Sequence, residues 1–306
     1  QLLRSRDFWL LPRVPQSKTG PMPPNIFEAS APGEHAKVWG QLLRSLSKVG
    51  NELFLEVYRE QVVLRTLNAS KSAFVTASFK SSFFETYEVS DDLDKCKVML
   101  KPACSAFKNT SNLSEFRIRY DCNASKLVFE MRCKSGIIKR YQLHYEQCNV
   151  MMAVYSKERC PSKVVLTARP LNDCLANFHT SVDQITMSAS PSALQWQAVT
   201  SGMQTESSFH AGDLEKFQIG RDTTLVFGLR ELRAMVQFWE SQSCTMSIHF
   251  DRPGNPIIFS GEYPDMTFDG DMVIATLADG GDGGGDDATQ ASTQDHRPPP
   301  SPSARS

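Results

Sequence analysis

Residues 35–56 read HAKVWGQLLRSLSKVGNELFLE, a helical period that stops at a Gly-Asn pair and gives way to a strand. Across 35–49, Val38, Leu42, Leu46 and Val49 form one apolar stripe, and Lys37, Gln41, Arg44 and Lys48 recur along another face. Gly50-Asn51 supplies a C-cap, and Leu53 to Val57 then read as the first of several strands. This helix contains no acid at all. A charged stripe on an isolated helix is ordinarily a solvated face, but such faces mix signs to gain i,i+4 pairs. A second acid-free helix is predicted over 102–110, with Lys101 just before it and Lys108 within it. One-sign helices side by side build a positive surface, which suits phosphate neutralisation without base readout.

Moving outward, the chain reads itself twice. Leu64-Arg65-Thr66 aligns with Leu194-Gln195-Trp196, Ser78-Phe79 with Ser208-Phe209, and Leu127-Val128-Phe129 with Ile257-Ile258-Phe259, each pair 130 positions apart. In the first copy, strands are expected over 53–57, 62–67, 73–79, 116–120, 126–132 and 138–144. The second copy begins near Val164, with a first helix marked by Leu171, Leu175 and Phe178 and a second over 229–239. Its helices carry Arg169, Arg230 and Arg233, offset by Asp173, Glu231 and Glu240. Each copy therefore reads as helix, strands, helix, strands, an α+β domain with helices on one face of a mostly antiparallel sheet. The expected organisation is an extension over 1–24, domains over 25–153 and 164–279, a connector over 154–163, and a low-complexity tail over 280–306.

Composition is that of a folded soluble chain: 306 residues, 41% hydrophobic, net charge −1. The tail holds an excess of aspartate, so the folded part is slightly basic. Eight cysteines show no CxxC and no zinc spacing, and their apolar neighbours predict buried, reduced thiols. The short run Phe8-Trp9-Leu10-Leu11 is cut by Pro12 and is no signal-peptide core, and Met22 is a candidate start. The expectation is an intracellular chain. Phosphate-loop, dinucleotide, zinc-protease and nucleophile-elbow motifs are absent, and no histidine stands at diagnostic spacing. Asp91, Asp92 and Asp94 could serve a metal-dependent nuclease, but loop solvation explains them better. No catalytic residue, metal or cofactor is assigned.

The segments HAKVWGQLLRSLSKVGNELFLE, LRTLNASKSAFVTASF, FFETY, SKLVFEMRCKSGIIKRYQL, SIHFDRPGNPIIFS and VIATLAD resemble the Rad-nine subunit family of the checkpoint sliding clamp, over about 25–279. The layout resembles the proliferating-cell nuclear antigen more remotely. The resemblance implies a sliding-clamp fold: two topologically similar domains, each with antiparallel sheet outside and two helices on the inner face of a ring. It implies DNA-facing positions at Lys37, Arg44, Lys48, Lys101, Lys108, Arg169, Arg230 and Arg233. It implies a heterotrimer with Rad-one-type and Hus-one-type subunits, closed by edge strands at Lys126, Val128, Glu130 and Arg132 and at Thr205, Ser207 and Phe209. A partner groove is expected around Val154, Tyr155, Ile274 and Thr276. Double-stranded DNA, an ATP-dependent loader, a checkpoint activator and repair enzymes are the implied partners, and the nucleus the implied location. The family's long phosphorylated tail has only residues 280–306 as its counterpart here. A homotrimeric replication clamp is the alternative within the same fold, and a nuclease the one outside it.

Overall fold

The computed structural model describes residues 9–10, 27–90, 95–122, 124–149, 152–153, 155–200, 202–265 and 267–278. A two-residue strand β1 (Trp9–Leu10) precedes the first domain. That domain runs β2 (Phe27–Pro32), α1 (His35–Val49), β3 (Glu52–Val57), β4 (Gln61–Leu67), β5 (Ala73–Lys80), β6 (Thr86–Val89), β7 (Cys96–Met99), α2 (Leu100–Ala106), β8 (Leu113–Asp121), β9 (Lys126–Cys133) and β10 (Ile138–His144). The short strands β11 (Glu146–Gln147) and β12 (Met152–Ala153) lead into the connector, and β12 pairs with β1. The second domain repeats the order: β13 (Ser162–Thr167), α3 (Ala168–Ala176), β14 (Gln184–Ala189), β15 (Ala193–Thr200), β16 (Met203–His210), β17 (Lys216–Gln218), β18 (Thr223–Gly228), α4 (Arg230–Ser241), β19 (Thr245–Phe250), β20 (Ile257–Glu262) and β21 (Phe268–Ile274).

The internal repeat is therefore structural, with one correction to its register. Gln61 pairs with Lys80, and Ala193 with His210, so Leu64 is equivalent to Trp196 rather than to Leu194. The offset is 130 at β5 and β16 but 132 one strand earlier. A longer loop joins β4 to β5, whereas β15 and β16 meet at a tight turn containing Gly202 at φ 86°. The helix limits also shift. The second helix starts at Leu100 and ends at Ala106, placing Lys108 beyond it. Pro102 falls in its first turn, where its missing N–H costs nothing.

Strands β7-β3-β4-β5 and β6-β2-β8-β9-β10 form two sheets of the first domain, and β18-β14-β15-β16 and β17-β13-β19-β20-β21 their counterparts. At the domain junction β5 pairs with β21, from Phe268 opposite Phe79 to Ile274 opposite Ala73, merging two of these into a ten-stranded sheet. Helices pack in the order α2, α1, α4, α3. They cover one face of the sheets, because alternate strand residues such as Val75, Met272 and Phe259 share their core. Trp39 anchors this layer in the first domain, stacked 4.6 Å from Phe79, and fully buried Trp196 and Trp239 do so in the second. The opposite face carries a separate small cluster of Phe74, Ala153, Ile258 and Val273, against which Tyr155 and Cys160 of the connector pack. Cys96, Cys133, Cys174 and Cys244 are buried as expected, whereas Cys104, Cys122, Cys148 and Cys160 are only partly so, and all eight are free thiols.

Candidate nucleic-acid interface

The helix α1 forms where residues 35–56 predicted it. Trp39, Leu42, Leu43 and Leu46 are buried, and Lys37, Arg44 and Lys48 are exposed on the face turned from the sheet. Lys101 on α2, Arg169 on α3 and Arg230 on α4 are likewise exposed, as is Lys108 in the loop after α2. Seven of the eight expected cations are thus exposed on the helix side, spread across both domains. A cleft beside α1 is lined by Lys134 together with Lys37, Arg44, Ser111 and Ser114, with Glu34 as its one acid. Clustered cations of this kind raise the local positive potential well beyond what the net charge indicates.

Arg233 departs from the expectation. Its Nη2 donates to the carbonyls of Phe178 (2.6 Å) and His179 (3.2 Å), just past the end of α3, and burial lowers the pKa of its guanidinium. It braces a neighbouring helix end rather than facing outward. Arg44 plays a weaker version of that role, donating from Nη1 to the carbonyl of Phe107 (3.3 Å) at the end of α2. Cations suit helix C-termini, where carbonyls lack intrahelical partners. The i, i+3 spacing of Arg230 and Arg233 could not separate the free arginine from the bracing one.

The two domains are tied together beneath this face. Gln242 Nε2 donates to Gln41 Oε1 at 2.8 Å, Lys48 Nζ to Gln237 Oε1 at 3.3 Å, and Asn68 Nδ2 to Glu231 Oε1 at 3.2 Å. Glu231, the acid nearest the N-terminus of α4, is thereby occupied. Among the described residues, no group of three or more His, Cys, Asp or Glu is placed to hold a metal ion. Asp91, Asp92 and Asp94 lie outside the described residues, as does the tail over 280–306.

The edge strands need correcting on one side. Strand β9, carrying Lys126, Val128, Glu130 and Arg132, is paired on both flanks, by β8 and by β10. Its side chains serve those neighbours: Glu130 binds Arg140 (2.7 Å), Lys126 binds Gln142 (2.9 Å), and Arg132 approaches Glu115 (3.7 Å). The open edge is β10, brought back by a turn at Gly136 with φ 84°. Thr205, Ser207 and Phe209 do lie on an edge strand, β16.

The groove residues divide similarly. Tyr155 lies on the connector, its hydroxyl donating to Asp271 Oδ2 at 2.9 Å beside Lys157 Nζ at 3.0 Å from Oδ1. Ile274 is buried in the main core, and Thr276 is buried with its hydroxyl donating to the Asn255 carbonyl (2.7 Å). Neither lines a groove, and Val154 lies outside the described residues. The apolar residues beneath the connector include Phe74, Ile258 and Val273, which sequence reading missed, as it missed Asp271. In the run Met272-Val273-Ile274 every residue is apolar, so alternation could not say which one faces out.

Two copies of one helix-and-strand plan, fused edge to edge with all four helices on one face, define the sliding-clamp fold. Solved clamps agree with this. Proliferating Cellular Nuclear Antigen from Entamoeba histolytica superposes with a TM-score of 0.68 at 11% identity, over 82% of this chain and 98% of that one. PCNA from Thermococcus kodakaraensis gives 0.70 at 17%, over 82% and 99%. The chain belongs to the Rad9 family, whose model matches residues 39–277. It is similar to the cell cycle checkpoint control protein Rad9 of Drosophila melanogaster, 26% identical over 74% of this chain and 51% of that protein. It is also similar to the DNA repair protein rad9 of Schizosaccharomyces octosporus, 20% identical over 78% and 66%. The chain thus spans about half to two thirds of the length of these relatives.

Proposed function

We propose that this chain is one subunit of a heterotrimeric DNA sliding clamp of the damage checkpoint, encircling duplex DNA and presenting docking surfaces to signalling and repair proteins. The observation that carries this is the exposed, acid-free stripe Lys37, Arg44 and Lys48 on α1, set in a continuous four-helix face. Such a face holds phosphates by charge alone, which suits a ring that must slide. The relatives' names supply the checkpoint and repair context. Strands β10 and β16, seven and eight residues long, are the edges we assign to neighbouring Rad-one-type and Hus-one-type subunits. An ATP-dependent loader would open and close the ring in the nucleus. The connector around Tyr155, which packs over the buried cluster of Phe74 and Val273, is the surface we assign to partner peptides. Co-expression with the two partner subunits, followed by mass determination, tests the reading. A stable 1:1:1 assembly is expected, and a chain that ignores both partners overturns it.

A further inference from the structure

We infer that the connector strand β12 is a docking strip for a short, extended, apolar segment, and that the chain supplies an occupant itself, residues 8–11 of its N-terminal extension. The inference rests on reading the connector as the surface for partner peptides, which then reach it only by displacing this segment. Its basis is a backbone pairing: β1 runs antiparallel to β12, with Trp9 opposite Ala153 and Leu10 opposite Met152.

The run Phe8-Trp9-Leu10-Leu11 is set in a charged stretch, with Arg4, Arg6 and Asp7 before it and Arg13 after it. Pro12, which has no N–H to donate to a ladder, ends the run. Both register pairs are apolar, the kind that favours cross-strand association. Strand β12 in turn has β1 as its one strand neighbour among the described residues, in a two-stranded sheet separate from the ten-stranded one. Ala153 is buried in the outer apolar cluster with Phe74, Ile258 and Val273. The connector is thus fastened to the sheet face through that side chain, while its backbone groups need a partner from elsewhere.

Two residue pairs make a weak strand contact, since even a complete two-stranded hairpin is marginal in water. Covalent attachment offsets that weakness. Sixteen residues, 11–26, join β1 to β2, and a tether of that order holds the segment at an effective concentration of about 1 mM. A contact of this strength fills the connector until a longer extended peptide, pairing with more of it, takes its place. The extension therefore sets the affinity that a partner peptide must exceed.

The test uses a fluorescein-labelled peptide of residues 4–14, RSRDFWLLPRV, titrated by anisotropy into the full chain and into its Trp9→Pro/Leu10→Pro variant. Proline at both positions removes the backbone donors that pairing needs, and thermal melts confirm that the variant folds. The variant should bind the probe about tenfold more tightly than the unaltered chain, because its own segment no longer competes. Hydrogen exchange locates the site. The amides of 152–153 should exchange faster in the variant and slow again when the probe is added. Equal affinity for the two chains, or no binding to either, overturns the inference. Probe binding that leaves exchange at 152–153 unchanged overturns the connector as its site. These readouts use this chain alone, whereas the clamp reading is tested by assembly with partner subunits, so either can fail without the other.

Discussion

Glu56 is 1% exposed on the sheet face opposite the helices, held by Arg65 Nε, Lys95 Nζ and the hydroxyl of Tyr58. Burial pushes its carboxyl up, but Lys95, Arg65 and Tyr58 together hold it below its ordinary value. Arg65 is itself only 9% exposed and also donates to Thr76 Oγ1 at 2.9 Å, so losing Glu56 would strand a buried cation. Glu56→Gln is expected to cost about 3 kcal/mol, read as a lower denaturation midpoint at unchanged slope. His249 behaves differently. Burial first, then Lys163 and Lys157 against the weaker pull of Asp271 and Glu158, lowers its pKa from 6.5 to about 4. The folded state thus binds its proton less readily than the unfolded chain. Its contribution is fully present above pH 6.5 and is lost as pH falls from there toward 4. His249→Gln, which can keep the contact to Ser247 Oγ at 3.0 Å, should flatten stability against pH across that window. An unchanged acid limb in urea titrations would refute this origin.

At the scale of elements, what decides the helix face is how closely α1 approaches α2. A Cβ on Gly40 would lie 2.7 Å from Cβ of Phe107, the root of a fully buried ring wedged between Phe116 and Phe129. That ring has nowhere to go, so the helices must part. Gly40→Ala should destabilise by about 1–2 kcal/mol, overpacking outweighing the gain in helix propensity. Gly212→Ala, with nothing within 4 Å of the added carbon, should stay within about 0.5 kcal/mol. The sequence made α1 legible because its two stripes are chemically pure. Helix α2 was misplaced by two to four residues because Phe107, apolar and in phase, belongs to the core but not to the helix. The family resemblance put a subunit edge on β9, and the sequence offers no check on it, because the alternation of Leu127, Phe129 and Met131 is the same whether one flank or two is paired. Pairing is a tertiary fact, and only the final hairpin to β10 reveals it.

For the whole molecule, the repeat announced two domains and the structure explains how they become one body. The β5–β21 seam continues the sheet without a break, while Gln41–Gln242 and Asn68–Glu231 contacts lock the helix layer beneath it. Cations that share this face nevertheless divide by what their heads touch. Lys37 and Lys101 are exposed with no ion pair on the described residues, whereas Arg233 is committed to carbonyls of Phe178 and His179. Period and charge alone could not make that distinction, since both kinds fall on the polar stripe of a helix. It separates two outcomes in an assembled clamp. Replacing Lys37, Lys48 and Lys101 together by alanine should cost no more than about 1 kcal/mol of stability, the loss of the exposed Lys48–Gln237 hydrogen bond included, because exposed charges contribute little to folding. The same triple variant should weaken DNA retention and lower the slope of log affinity against log salt by up to about 3, one counterion-releasing contact per lysine. Arg233→Ala should do the reverse, costing about 1–2 kcal/mol through unsatisfied carbonyls while leaving the salt slope where it was. If instead Arg233→Ala flattened the salt dependence and the lysine variant did not, DNA would have to lie somewhere other than against the α1–α4 face.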